Sequence, residues 1–441
     1  MSHGKRDVLF KRLAYGWLGS LTLKVCGMIL GLVSTILLAR YLGVTGYGLY
    51  SYAIVLVTLI SMPAILGVPT LVTRETARAN EARNWGQMRG LWRWSGRISL
   101  ILVTVALALA TSVLYFTNNH IAHADKVVIY IAMMMTPLLV MGRLRSAALR
   151  GLKSPVLAQM PEQFIRQTCF LSLIALLVIG LGEEHLTAAT AMGLNVISVF
   201  FAFLVGVIFL YKLSPTSTEI SVSSDEQRNW LRAIVPFAFV SGAQLLLKNT
   251  DLFMLGLMKG MDEVGWYRVS VQISLLMVFG LEVITLVVAP YFVRFYKRGD
   301  LKKLKRTFII SVLASISVAF PVFLVFVLFG EALIDLAFGK EYIDSYYPLL
   351  ILAVGQLFNV VVGPAGYLLS MAGFEKDTAK VMVWAAILNV LLNLLLIPHI
   401  GMIGAAVSSA LCLAIWNIWV VIVLRKRVGI SPLGTDSRVS S

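Results

Sequence analysis

The sequence predicts an all-α integral membrane protein with twelve transmembrane helices in two six-helix lobes. Composition, the alternation of positive charge and an internal repeat carry that prediction. Of 441 residues, 59% are hydrophobic and 14% are charged, whereas a soluble domain keeps about 25% charged. Twelve spans of about 20 residues need about 240 apolar positions, and 59% of 441 supplies about 260. A soluble enzyme, a disordered chain and a single-span anchor are excluded. The net charge of +16 fits retained cytoplasmic loops beside an anionic leaflet better than nucleic-acid binding. Cys26, Cys169 and Cys412 lie in apolar runs and form no disulfide or metal pattern.

In chain order, apolar runs predict spans at 18–39, 49–71, 98–116, 127–141, 164–181 and 186–211, then at 233–258, 266–291, 308–329, 347–372, 381–397 and 402–424. Lys5-Arg6 and Lys11-Arg12 precede the first run without a small-residue cleavage site, so it reads as a retained span. Arg143 and Arg145 shorten the fourth. With the N-terminus inside, the inner segments hold thirty Lys and Arg. The outer loops hold only Arg40, Lys126, Lys259 and Lys340. A wrong span count would scramble that alternation, which predicts both termini in the cytoplasm.

The halves repeat. Gly43, Gly48 and Tyr50 follow span one, and Gly260, Gly265 and Tyr267 follow span seven with the same spacing, 217 residues later. Leu149-Arg150-Gly151-Leu152 after span four answers Met371-Ala372-Gly373-Phe374 after span ten, offset by 222. Six spans is an even number, so both copies cross the membrane in the same sense, as a parallel repeat about a pseudo-twofold axis. The predicted lobes are 1–211 and 233–441, joined by a cytoplasmic linker at 212–232 rich in Ser, Thr and acids.

The longest expected outer loop, 330–346, has about 17 residues, short for a membrane glycosyltransferase or ligase that must hold an external acceptor. There is no Gly-x4-Gly-Lys-Ser/Thr phosphate loop, no catalytic triad and no paired-carboxylate arrangement. His120 and His123 lack acidic or sulfur partners at metal-binding spacing and read as loop histidines. No catalytic residue, cofactor or metal site is expected; a proton or sodium ion is the expected coupling species. The sequence describes a mover.

Six charged residues fall inside the spans: Lys24, Arg166, Lys248, Asp251, Arg268 and Glu282. Each costs about 2.5–3.5 kcal/mol near a span centre, so each should face a wet cavity or a partner. Lys24 and Arg166 have two readings, snorkelling to the inner interface or contact with an anionic head group. Lys248 and Asp251, at i and i+3, either neutralise one another or serve as a head-group contact and an ion or proton site. Gln244 extends their stripe. Glu282, near mid-span with no basic residue within four positions, would tend to be protonated without a partner from another helix and is the leading candidate for proton coupling. Asn389 and Asn393 share a face of span eleven, Gln356 and Asn359 lie in span ten, and interhelical hydrogen bonds are expected from all four. Gly27 and Gly31 signal close packing in span one.

The residues Leu38-Ala39-Arg40-Tyr41-Leu42-Gly43 and Tyr47-Gly48-Leu49-Tyr50 resemble the end of the first span in polysaccharide-repeat-unit flippases of the Wzx/RfbX type. So do Leu66-Gly67-Val68-Pro69-Thr70 through Arg74-Glu75 for the second span and Ala148-Leu149-Arg150-Gly151 with Pro161-Glu162-Gln163 and Arg166 for the fourth-to-fifth passage. Asp251, Leu255-Gly256, Gly265-Trp266-Tyr267-Arg268 and Ala289-Pro290 resemble spans seven and eight. The resemblance implies a two-lobed, MATE-like transporter with a central cavity, one that carries undecaprenyl-pyrophosphate-linked oligosaccharide across the bacterial inner membrane. On that expectation Lys24, Arg166, Lys248 and Arg268 make the cavity cationic for the head group. Arg74, Arg143 and Arg145 attract the pyrophosphate at the cytoplasmic side, and Asp251 and Glu282 couple an ion or proton. Expected partners are the lipid-linked oligosaccharide, the bilayer, a polysaccharide polymerase and a chain-length regulator, with no nucleic acid. The rival reading is a MATE-like efflux antiporter for cationic drugs. It should have a cavity dominated by carboxylates, whereas these spans hold four basic groups and two acids.

Overall fold

The computed structural model describes residues 3–116, 123–215 and 223–429. Every regular element among them is helical. Among the described residues, ten segments are long and apolar enough to cross a membrane. Two of these, Gly19–Ile65 with 47 residues and Asp377–Val428 with 52, would each run roughly 70–80 Å at 1.5 Å per residue. That is more than twice the hydrocarbon thickness of about 30 Å. Both are broken: the first at Gly43 (φ 66°, ψ 178°), the second at Ile400 and Gly401 (φ 55°, ψ −135°). Twelve spans result.

Spans one and two are 3–42 and 44–65. Spans three and four are Trp85–Phe116 and His123–Gly151; span five is Pro155–Leu181, span six Ala188–Leu213 and span seven Ser224–Met258. Span eight covers 261–297 with a 3₁₀ turn at Leu275–Val278. Spans nine and ten are Leu301–Phe338 and Tyr346–Met371, and spans eleven and twelve are 375–399 and 402–428.

The repeat is written in the backbone. Residues with positive φ follow equivalent spans in each half: Gly43 and Gly260, Arg83 and Gly299, Lys153 and Gly373, Gly182 and Gly401. A left-handed residue ends a helix because the chain turns where a Cβ is costly. The same corners therefore recur in both halves.

Four expectations about boundaries are corrected. Span two does not run to Leu71: it stops at Ile65, Gly67 takes φ 72°, and Val68–Glu81 forms a separate amphipathic helix with Pro69 in its first turn. Arg143 and Arg145 do not end span four, which continues to Gly151. Span five starts at Pro155 and carries a π-turn at Pro161–Ile165, because Pro161 has no N–H for the regular ladder. The supposed outer loop 330–346 is helical to Phe338, then a 3₁₀ turn at Lys340–Ser345. Gly330 permits this close return, since a Cβ there would lie 2.6 Å from the Tyr346 ring. His120 and part of the expected linker (216–222) lie outside the described residues, as does the side chain of His123.

The chain divides into two compact units, Met1–Gly242 and Ala243–Ser441. The division falls inside span seven because its first half belongs to the packing of the first unit. Trp230 is buried with Leu71 and Leu91, and Gly67 lies flat on the span-seven backbone. A Cβ at Gly67 would meet the Ile234 carbonyl oxygen at 2.7 Å and the Ala238 nitrogen at 2.8 Å. Gly67→Ala, strained in φ and in space, lowers unfolding free energy by at least about 2 kcal/mol, read as a lower thermal midpoint of the purified protein in detergent. In the second unit, Phe292, Leu304, Phe308, Leu368, Val381 and Leu424 form a core of side chains from five spans. Large apolar side chains such as Ile179 (86% exposed) and Leu336 (75%) point outward, the arrangement hydrocarbon tolerates and water does not. At the start of span nine, Asp300 accepts from the Lys303 amide at 3.1 Å and pairs with its ammonium at 2.9 Å. These hydrogen bonds hold its carboxyl below the usual range. The cap therefore supports the helix above the ordinary carboxylate pKa and is lost as pH falls through the lowered one.

Candidate functional site

In the second unit, four spans converge on one carboxylate. Asp251 of span seven is buried, at 7% exposure. Its Oδ2 accepts from the Tyr267 hydroxyl of span eight at 2.9 Å and from the Ser409 hydroxyl of span twelve. Its Oδ1 accepts from the Asn393 amide of span eleven at 2.6 Å. Asn393 also donates to Asn389 Oδ1 at 3.2 Å, as the shared face of residues four apart requires. Among the described residues, Asn393 Oδ1 has no hydrogen-bond partner. The site thus gathers a carboxylate, two amides and two hydroxyls inside the membrane-spanning region. Such hard oxygens suit a proton or a small cation. No group of three or more His, Cys, Asp or Glu fit for a metal occurs among the described residues.

Lys248, one turn before Asp251, is exposed, and no Lys248–Asp251 ion pair occurs among the described residues. The neutralising-pair reading is corrected: Asp251 turns into the bundle, where three donors already satisfy it. Arg268, beside buried Tyr267, is half-buried. Glu282 is half-buried in span eight, within electrostatic reach of Tyr367 in span ten.

The first unit has a counterpart built on the same repeat position. Arg166 of span five donates to Asn195 Oδ1 of span six at 3.3 Å, and Asn195 Nδ2 donates to the Tyr50 hydroxyl of span two at 2.7 Å. Asn195 is 1% exposed, and Tyr50 stacks on Phe170 at 6.5 Å. Arg166 is thus tied inward to span six. Tyr50 and Tyr267 are the repeat's tyrosines; one serves a cation's partner, the other a carboxylate. Lys24 is half-buried in span one. On the same face, Gly27 brings that helix against span five, where a Cβ would stand 3.0 Å from the Gln163 carbonyl oxygen.

The three arginines expected at the cytoplasmic side separate. Arg74 pairs with Glu75 at 2.9 Å and lies over the Phe237 ring at 5.3 Å. Arg143 is exposed. Arg145 is turned inward: its side chain is 3% exposed and bonds Glu162 of the π-turn at 2.8 Å. It also donates to the Ala202 and Phe203 carbonyls of span six at 3.2 and 3.0 Å. A guanidinium so enclosed is a clamp between spans four, five and six, and it is not free to attract a ligand from solution.

Sequence reasoning did not assign Tyr267, Ser409, Asn195 or Tyr50 to a site. The signal was available for the tyrosines, since the Gly-x4-Gly-x-Tyr repeat marks both. Nothing local marks Ser409 among the small residues of span twelve.

Among the described residues, twelve spans in two sequence repeats, with ionisable groups enclosed in each, define a multi-pass helical membrane protein. The chain belongs to the family described as polysaccharide biosynthesis protein, whose model matches residues 13–296; the MatE family model matches 236–395. It is 23% identical over 229 residues to the "Probable low-salt glycan biosynthesis flippase Agl15" of Haloferax volcanii, covering 51% of this chain. The chain spans about half of that relative's length, at 48%. It is 23% identical over 403 residues to a "Putative O-antigen transporter" of Shigella flexneri, covering 87% of this chain and 89% of that one. Among solved structures it is similar to an inward-facing multidrug resistance MATE family transporter of the MOP superfamily. That match has a TM-score of 0.72 at 16% identity and covers 93% of this chain and 98% of that one. It is also similar to the lipid II flippase MurJ in an inward closed conformation, with a TM-score of 0.70 at 12% identity, covering 92% and 87%. The fold is that of the MOP-superfamily transporters.

Proposed function

We propose that this protein is a flippase that moves undecaprenyl-pyrophosphate-linked oligosaccharide repeat units from the cytoplasmic to the periplasmic leaflet of a bacterial inner membrane. The single observation that carries this reading is Arg166, a cation inside a span, held inward by Asn195. A charged, hydrated head group must cross about 30 Å of hydrocarbon, and fixed cations offset the loss of its hydration. Lys24, Lys248 and Arg268 join Arg166 as head-group contacts, and Arg74 and Arg143 attract the pyrophosphate from the cytoplasm. Arg145 is left out, because it is enclosed. Asp251, with Glu282 as the second candidate, couples an ion or proton gradient. The two six-span lobes alternate access, both termini lie in the cytoplasm, and a polymerase with its chain-length regulator takes the product. The names of the relatives support the cargo class.

Arg166→Ala, at matched protein level, reduces surface polysaccharide about tenfold or more, the loss of one charge-assisted contact of about 1.5–3 kcal/mol. Arg166→Lys retains part of it. Normal export by Arg166→Ala would remove the observation on which this reading stands. A second reading, an ion-coupled drug antiporter, is favoured by the MatE match across the span that carries Asp251. A deletion strain separates the two: accumulated lipid-linked repeat units mark the flippase, drug sensitivity the antiporter.

A further inference from the structure

A cavity of about 170 Å³ lies in the first unit between spans three, four and six and the amphipathic helix Val68–Glu81. Trp92, Met141, Leu144, Phe203 and Val207 give it apolar walls, and Arg145 forms part of one side. An apolar space of this size can hold hydrocarbon: an enclosed cavity of roughly 150 Å³ lined by Leu, Ile and Phe binds benzene. Two further features point to an occupant. The Arg145 side chain is 3% exposed, yet among the described residues its Nε has no hydrogen-bond partner, an orphan donor costing about 1–3 kcal/mol unless something accepts from it. Gly96, also in the wall, sits in regular helix, and a Cβ there would meet nothing within 4 Å. Glycine in a helix interior costs about 0.5–1 kcal/mol against alanine, and neither backbone conformation nor helix packing requires it here. The open space in front of Gly96 belongs to the cavity it lines.

We propose that this cavity binds an acyl chain of a bilayer phospholipid, with an ester or phosphate oxygen near Arg145. The surrounding bilayer is a concentrated source of such chains, and the rim reaches the surface at Val207, which is 40% exposed. An unbranched chain threads a space this small in single file, whereas a polyprenyl chain needs extra width at every methyl branch. Arg145 is held by Glu162 and the span-six carbonyls, so it contributes a fixed donor. The ion pair keeps the site near neutral, as suits an occupant that is mostly hydrocarbon.

The test uses the full-length protein in nanodiscs containing phosphatidylglycerol with a mid-chain diazirine. After irradiation, the label is expected on peptides carrying Met141 to Leu144 and Phe203 to Val207. Gly96→Trp, which fills the cavity from span three, and Val207→Trp, which closes its rim, each lose that label, while Gly96→Ala keeps it. Two Trp variants on different helices guard against one failing to fold. Labelling spread evenly over the lipid-facing surface and unchanged in both Trp variants would overturn the proposal. So would labelling of the same peptides by a diazirine polyprenyl phosphate and not by the phospholipid. The readout needs no transport, so its failure is distinct from failure of the flippase reading.

Discussion

Asp251→Ala destroys transport and costs several kcal/mol of stability. The substitution strands the Tyr267 hydroxyl, the Asn393 amide and the Ser409 hydroxyl, which all donate to this carboxylate, and each stranded buried donor costs about 1–3 kcal/mol. Because that loss mixes folding with function, the informative partner is Asp251→Asn. It keeps the volume and an acceptor oxygen but removes the charge. Asp251→Asn turns an NH2 group toward one of these donors, so its thermal midpoint falls between those of Asp251→Ala and the parent, and it loses the dependence of transport on the imposed ion or proton gradient. Equal gradient dependence in Asp251→Asn and parent would take Asp251 out of coupling and leave the cluster a structural tie among four spans.

Arg145→Ala unfolds at markedly lower temperature. Breaking a buried ion pair costs about 3–5 kcal/mol, chiefly because the other charge is left behind. Glu162 is 34% exposed, so water screens part of that penalty, and the low end of the range, about 3 kcal/mol, is expected. Gly206→Ala attacks the clamp from span six, since a Cβ there would fall on the Arg145 guanidinium. Overpacking of that kind costs about 1–3 kcal/mol. The two are not additive: in Arg145→Ala the obstacle is gone, so Gly206→Ala added to it costs almost nothing and gains in helix propensity. Unfolding of the single and double variants in detergent measures the coupling. Full additivity would mean that the guanidinium does not occupy this place.

The fold was legible because its determinants are coarse. Apolar length set the spans, and one pair of left-handed corners, Gly43 and Gly260, falls where the sequence repeat placed its glycines. Boundaries went astray where a local charge or proline was read without its tertiary partner. Arg143 and Arg145 looked like a helix end, yet Arg145 is carried inside by Glu162 and by the room left at Gly206. Asp251 was legible as a costly intramembrane charge, but its partners were not. Lys248 was near in sequence, while Asn393 and Ser409, 142 and 158 positions away, came together only through folding. The chain of contacts from Arg166 to Asn195 and from Asn195 to Tyr50 was hidden for the same reason.

The most direct test is transport by the purified protein in proteoliposomes. A polyprenyl-pyrophosphate-linked oligosaccharide is placed in both leaflets, and the fraction accessible to an added glycosidase is followed in time. The flippase account expects the parent to bring the inner-leaflet pool to the enzyme faster than empty vesicles do, with Arg166→Ala slowed toward the vesicle rate. A parent protein that leaves the inner pool untouched, while taking up a cationic drug against an ion gradient, would contradict the account and install the antiporter in its place.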